Sequence, residues 1–330
     1  MNLRDPENLF SAGSSNPSLS HVPFVYSDAY LITLEGLEKL HPFDTQKYKR
    51  IVEALLHEKW ISDKDIYSPE PVSEEDLLRV HTPYYLDTLK DPLKVATYLE
   101  FPAIASVSPE KVYRNVVLPH LWVTGGTLLA SQLALDHPLV IHIGGGYHHA
   151  KPDRGEGFCL FADIAIAIRA LQDKGKVQRF LVLDLDVHQG NGTAEIFAED
   201  ERVFTFSMHE KDIYPVPKAI SDCDVELASG TDDAEYLRLL SHYLPEITKL
   251  ADPEMVFFVA GCDVLADDPL ASLAITEKGL IERDAQVVQW FLNQHIPLVF
   301  LLAGGYSPNA WQAQYQSICH ILEMASNFQG

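Results

Sequence analysis

The feature that most constrains this chain is an alternation that begins near residue 117. Short, continuously apolar runs at 138–143, 179–185, 203–208, 255–260 and 297–302 are separated by segments with helical patterning. TGGTLLASQLAL reads as a helix ending near Asp136, and FADIAIAIRALQDKG as one with Asp163 in its first turn and Gly175 at its stop. GTAEIFAED follows as a short helix, TDDAEYLRLLSHYLPEITKL as an amphipathic helix with an acidic start, and TEKGLIERDAQVVQWFLNQ as one opened by Thr276. A last helix begins near Pro308. A strand that is apolar on both sides must be covered on both sides, so the pattern predicts an α/β fold with a mainly parallel sheet between helices. In such folds ligands bind outside the carboxyl ends of the strands.

Each of those ends carries something unusual. The run at 138–143 leads into GGGYHHAKPDRGEGFC, where Gly144, Gly145 and Gly146 permit a sharp turn before His148 and His149. The run at 179–185 leads into LDLDVHQGNGT. There Asp184, Asp186 and His188 alternate, so an extended backbone puts all three on one face. Two carboxylates and an imidazole on one side of a buried strand end are costly unless a cation lies between them, and Asp186 and His188 are natural Zn²⁺ ligands. The run at 255–260 leads into AGCDVLADDPLASLAIT, which offers Asp263, Asp267 and Asp268 as a third ligand, although aspartates beside Pro269 are also common turn formers. The run at 297–302 leads into AGGYS, where the phenol of Tyr306 suits a donor to an oxyanion, or simply packs. Ligands, base and oxyanion donor at four strand ends make the constellation of a one-metal hydrolase.

With 47 acidic against 25 basic residues, the net charge of −22 argues against general nucleic-acid binding and suits a cationic substrate such as a lysine-rich peptide or a polyamine. Cys159, Cys223, Cys262 and Cys319 form no C-x-x-C pair and read as reduced, mostly buried thiols of a cytoplasmic protein. No secretory h-region and no membrane-length apolar run is expected. Residues 1 to about 22 read as a loose polar arm and 23–330 as one domain without internal repeats.

These motifs, in this order, resemble the histone deacetylase superfamily, most closely the class IV, eleven-type deacetylases. The resemblance runs from HPFDTQKYKR near residue 40, through SEEDLLRVHTPYYLDTLK, GGGYHHAKPDRGEGFCLFADIAIAI, LDLDVHQGNGT and IYP, to AGCDVLADDPLASLAIT and AGGYS near residue 310. It implies the arginase/deacetylase fold, a mainly parallel sheet of about eight strands flanked by helices, and it draws the first 110 residues, which show no clean βα pattern, into the same domain. It also implies roles: Asp186, His188 and Asp268 as ligands of Zn²⁺, with Fe²⁺ the other candidate for such a donor set, and Asp267 standing where relatives have Gly. His149 matches the general base, oriented by Asn191, and His148 its electrostatic partner, paired with Asp184. Tyr306 matches the transition-state tyrosine, and Gly157, Phe158 and Tyr214 the walls of an acyl-lysine tunnel. Asp184, Asp186, His188, Ser207 and Met208 match a structural K⁺ site.

The activity implied is hydrolysis of an acyl-lysine amide, with a class IV preference for long-chain acyl groups. An acetylpolyamine hydrolase and a non-catalytic acyl-lysine-binding scaffold are the alternatives. A binuclear manganese ureohydrolase of the same fold needs a second carboxylate ligand where this chain has Gly190.

Overall fold

The computed structural model describes residues 21–327. The segment read as a loose arm therefore lies, apart from its last two residues, outside the described residues. The apolar runs form strands: β1 (Phe24–Val25), β2 (Ile66–Tyr67), β3 (Leu139–His142), β4 (Phe180–Asp184), β5 (Val203–Glu210), β6 (Cys223–Leu227), β7 (Met255–Val259) and β8 (Leu298–Leu301). They make one eight-stranded sheet in the order β2-β1-β3-β8-β7-β4-β5-β6, with every neighbouring pair parallel. The expected α/β architecture is thus the observed one.

Alternate residues of the central strands feed two cores. Leu139, Ile141, Leu181, Leu183, Val256, Phe258, Leu298 and Phe300 face one, while Val140, Phe180, Val182, Phe257, Val259, Val299 and Leu301 face the other. The first is covered by helices Gln46–His57, Asp233–Ala251, Glu277–Asn293 and Ala310–Asn327, the second by Leu118–Leu133 and Asp163–Asp173. Two-sided burial is why these strands show no polar alternation. Thr276 caps its helix, its hydroxyl accepting from Gly279 N–H.

Three strands escape the sequence pattern. β1 and β2 are two residues each, too short for any periodicity. The edge strand β6 alternates exposed and buried residues in CDVEL and leaves Cys223 half-buried, whereas Cys159, Cys262 and Cys319 are buried; all four are unpaired thiols. The region before residue 117 forms short helices around a third core that includes Leu34, Tyr85, Leu99, Phe101, Ile104 and Val116. Ser73, Thr82 and Asp91 cap three of these helices at their amino ends. Among the described residues no helix is long and apolar enough to cross a membrane.

Buried neutral histidines tie this region to the sheet. His81 donates from Nδ1 to Lys151 O (3.0 Å) and accepts at Nε2 from Ala162 N–H (3.0 Å), clasping both ends of the loop that follows His149. His120 donates to Val116 O, and His142 meets Tyr30 and Thr127 hydroxyls. Burial pushes His81 and His120 down to about 4 and His142 to about 3. The unfolded chain takes up these protons near pH ~6.5 while the folded chain refuses them, so their contribution is complete above that pH and is lost as the pH falls through it. Denaturant midpoints are expected to fall between pH 7 and 5, with a slope of up to about 1.4 kcal/mol per pH unit for each histidine. His81→Leu should cost about 1–3 kcal/mol at pH 7, since it unpairs two backbone groups, and should flatten that slope.

Candidate metal and catalytic site

The four motif-bearing strands are neighbours in the order β3-β8-β7-β4, and all are parallel, so their carboxyl ends open on one edge. After β3 the chain turns through Gly145 and Gly146, at φ +73° and +83°, a conformation only glycine adopts without strain. Asp163, at the start of the next helix, pins this turn: its carboxylate accepts from Gly146 N–H, Tyr147 N–H and the Thr127 hydroxyl. The turn delivers His148 and His149 side by side, ring centroids 4.0 Å apart.

Their partners divide their roles. His148 Nδ1 donates to Asp184 Oδ2 at 2.7 Å, and His149 Nδ1 to Asn191 Oδ1 at 2.7 Å. Burial opposes charge on His148, but Asp184 and Asp186 outweigh it and pull the imidazole up to about 9. Burial, reinforced by the charges of His148 and His188, pushes His149 well below the ordinary histidine range. Adjacent groups whose protonation is driven apart in this way suit one charged and one basic role.

After β4 the strand-end carboxylates meet the loops of β7 and β8. Asp186 Oδ1 accepts from His188 N–H and Asp186 Oδ2 from Gly304 N–H, while Asp263 Oδ1 accepts from Val187 N–H, each at 3.0 Å. His188 Nδ1 then lies 3.2 Å from both Asp186 Oδ1 and Asp263 Oδ2. Donors bound at about 2.0–2.1 Å to a tetrahedral Zn²⁺ stand roughly 3.3 Å apart, which matches the two separations from His188. Asp186, His188 and Asp263 are all buried and their donor atoms lie within 4.8 Å of one another. Burial and the charge of Asp186 push Asp263 up to about 7, and the two carboxylates raise His188 to about 10 against its burial. A cluster so short of positive charge is relieved by a cation.

Asp268, the third ligand implied by resemblance, is outside that trio. Its Oδ1 accepts from Leu270 N–H and its Oδ2 from Tyr306 N–H, at 3.0 and 2.8 Å. It is buried beside the cluster, within the electrostatic reach of Asp186 and His188. Asp267 is exposed and faces Asn309, so it does not join. Gly190 also has a physical reason: a Cβ there would stand 2.3 Å from Asp184 Oδ2, which leaves no room for a second-metal carboxylate.

A cavity of about 420 Å³ opens beside this cluster. His148, His149, Asp186, Gly157, Phe158 and Tyr306 are among the residues that line it. Phe158 is the second residue of a tight hairpin turn after Gly157, between Glu156 and Cys159, and holds φ +67°, a strained value for a bulky residue. Tyr214 packs its ring 5.0 Å from that of His149 and is not among the residues that line this cavity. Of the residues matched to a K⁺ site, the β4–β5 register sets Asp184 beside Ser207, with Met208 buried next to it.

Several lining residues were not foreseen. Leu34, Phe43, Leu99, Phe101, Ile104 and Val116 add apolar surface to the cavity lining. They come from the region without strand periodicity, where no local signal points at a distant cavity. Asp263 was one of three open candidates, and its place directly after β7 was the available hint. Lys47 gave no signal: it is buried and donates to Ala303 O at 3.0 Å, supporting the loop that carries Tyr306.

A family model described as the histone deacetylase domain matches residues 41–322. Histone deacetylase 2 of Arabidopsis thaliana is 38% identical over 91% of this chain and 78% of its own length. An uncharacterised protein of Picosynechococcus is 37% identical over 90% and 97%, and the acetoin utilization protein AcuC of Staphylococcus aureus 28% identical over 92% and 81%. The crystal structure of the HDA15 HD domain superposes with a TM-score of 0.73 at 19% identity, covering 93% of this chain and 91% of the other, and so shares the fold.

A Cβ at Gly304 would fall 2.2 Å from Asp263 Oδ2 and 2.5 Å from Asp186 Oδ2. Gly304→Ala is therefore expected to weaken metal binding by about tenfold or more while the chain stays folded. Chelator competition with Zn²⁺ or Co²⁺, alongside circular dichroism, measures it.

Proposed function

The chain belongs to the histone deacetylase family of amide-bond hydrolases, and from that premise we propose that it is a Zn²⁺-dependent deacylase of the class IV type, acting on acylated lysine side chains. The reading takes residues 23–330 as one catalytic domain in the cytoplasm. The observation that carries it is the adjacent pair His148, bonded to the Asp184 carboxylate, and His149, bonded to the Asn191 amide, beside a buried Asp/His/Asp donor set.

A bound Zn²⁺ supplies Lewis acidity toward the amide carbonyl and acidifies water. The protein's own groups do the rest. His149, with Nδ1 committed to Asn191, takes the proton of the attacking water at Nε2 and returns it to the leaving amine. His148, charged and held by Asp184, offsets the negative charge that develops. The Tyr306 hydroxyl donates to the oxyanion. Phe158, which lines the cavity, and Tyr214, packed on His149, would flank the lysine stem. Asp184, Asp186, His188, Ser207 and Met208 would hold a K⁺ ion that fixes the ends of β4 and β5.

Two observations bear on the third Zn²⁺ ligand. Proximity of donor atoms favours Asp263. Resemblance favours Asp268, whose backbone bonds leave lone pairs for a metal, since an ionised carboxylate has about four acceptor sites. Metal content of the Asp263→Ala and Asp268→Ala variants separates them, and Asp186→Ala and His188→Ala are expected to lose the metal in either case. Two equivalents of metal per chain would contradict the reading.

The apolar residues of the cavity lining, Leu34, Leu99, Phe101, Ile104 and Val116, favour a long acyl chain over acetyl, because each buried methylene adds about 0.8 kcal/mol to binding. kcat/KM for myristoyl-lysine is expected to exceed that for acetyl-lysine in the same peptide. The acidic charge balance of −22 favours the second reading, an acetylpolyamine hydrolase, which predicts the opposite order and turnover of acetylated polyamines. Tyr306→Phe should fold and bind metal yet lose about 10²–10³ in kcat; retained turnover would point to a different oxyanion donor, whereas a wild type that binds acyl-lysine without turning it over would point to the third reading of the site, an acyl-lysine-binding scaffold.

A further inference from the structure

Asn191 is a poor guide for a catalytic base unless something holds its amide. An amide can present either its oxygen or its nitrogen to His149, and the two choices demand opposite tautomers of the imidazole. If the oxygen faces Nδ1, the ring proton sits there and Nε2 is free to accept. If the nitrogen faces it, the proton moves to Nε2 and the base is lost.

The choice is made one residue further out. Asn191 Nδ2 donates to Glu156 Oε1 at 2.8 Å, and the Tyr214 hydroxyl donates to the same oxygen at 2.8 Å. The other oxygen, Oε2, lies 3.5 Å from Lys151 Nζ and 3.3 Å from Arg154 Nε. Burial opposes the charge of Glu156, but the bonds from Tyr214 and Asn191 and the two cations hold it below the usual carboxylate range. An ionised carboxylate only accepts, so Asn191 must turn its nitrogen toward Glu156 and its oxygen toward His149. The hairpin that strains Phe158 begins at Glu156, whose N–H donates to Cys159 O, so the same turn sets both.

We propose that Glu156 is a positioning residue: through Asn191 it fixes the tautomer of His149 that leaves Nε2 free for the reaction, and through Tyr214 it ties that choice to the wall of the acyl-lysine tunnel. The inference rests on His149 being the base of the deacylase, but its first readout does not depend on activity. In the metal-loaded full chain with ¹⁵N-labelled histidine, long-range ¹H–¹⁵N spectra near neutral pH are expected to show His149 protonated at Nδ1 in the wild type. In Glu156→Ala they should show a mixture, or the proton at Nε2. Glu156→Gln keeps an oxygen for Asn191 and Tyr214 and should restore the wild-type tautomer; Glu156→Met, closer in volume, replaces the alanine variant if that does not fold.

In turnover, Glu156→Ala should lower kcat about 10–100-fold. The loss should shrink in an Asn191→Asp background, because a carboxylate needs no orienting. A wild-type tautomer in Glu156→Ala or Glu156→Met overturns the proposal whatever their activity. An altered tautomer in a chain whose wild type turns over no acyl-lysine substrate would uphold the coupling and overturn the deacylase reading instead.

Discussion

Four carboxylates, Asp184, Asp186, Asp263 and Asp268, are buried together at the ends of adjacent strands, and much of the surrounding structure serves to make that tolerable. Charge so poorly hydrated is expensive unless it is paired and hydrogen-bonded. Backbone N–H groups of Asp186, Val187, His188, Leu270, Gly304 and Tyr306 all point into the cluster. His148 brings a positive charge from one side. From beneath, the fully buried Arg283 donates to Leu185 O, Gly261 O and Ala260 O, the carbonyls at the ends of β4 and β7. Asp284 and Ser317 complete that support. These donors hold the loops rigidly enough that three donor atoms converge without touching.

The rest of the site depends on this anchoring. Because Gly304 lies against Asp186, the loop after β8 has one position, and Tyr306 is fixed by its own N–H on Asp268. Lys47 closes the loop from the opposite side through Ala303 O. Its helix also carries Tyr48, which lines the cavity, so the amino-terminal region is joined to the chemistry by a buried ammonium as well as by apolar packing.

His149 is arranged differently from its neighbour. His148 meets a carboxylate directly, which charges it, whereas His149 meets an amide with the carboxylate one step removed. The intervening amide passes on orientation without the full electrostatic effect that would raise the base. A neutral imidazole with a defined tautomer is the result, and it is the form a proton acceptor needs.

Because period and apolar run length are local properties, the chain's local patterning is enough to reveal β3, β4, β5, β7 and β8, the covering helices after residue 117 and the strand-end motifs, but not the covering helix Gln46–His57. The spacing of Asp184, Asp186 and His188 likewise marks the cluster in the sequence, although β4 ends at Asp184 and it is bends at 186–188, not an extended strand, that bring these side chains together. Other features were decided only in three dimensions. Asp263 meets His188 across 75 residues of chain, and no spacing rule tells it from Asp268, since side-chain direction in a turn is not periodic. The apolar lining of the cavity comes from short helices and loops before residue 117 that carry no period of their own. Glu156 appears in the sequence as one more loop carboxylate; that it faces Asn191, 35 residues away, depends on where a strained hairpin and a helix start come to lie against each other.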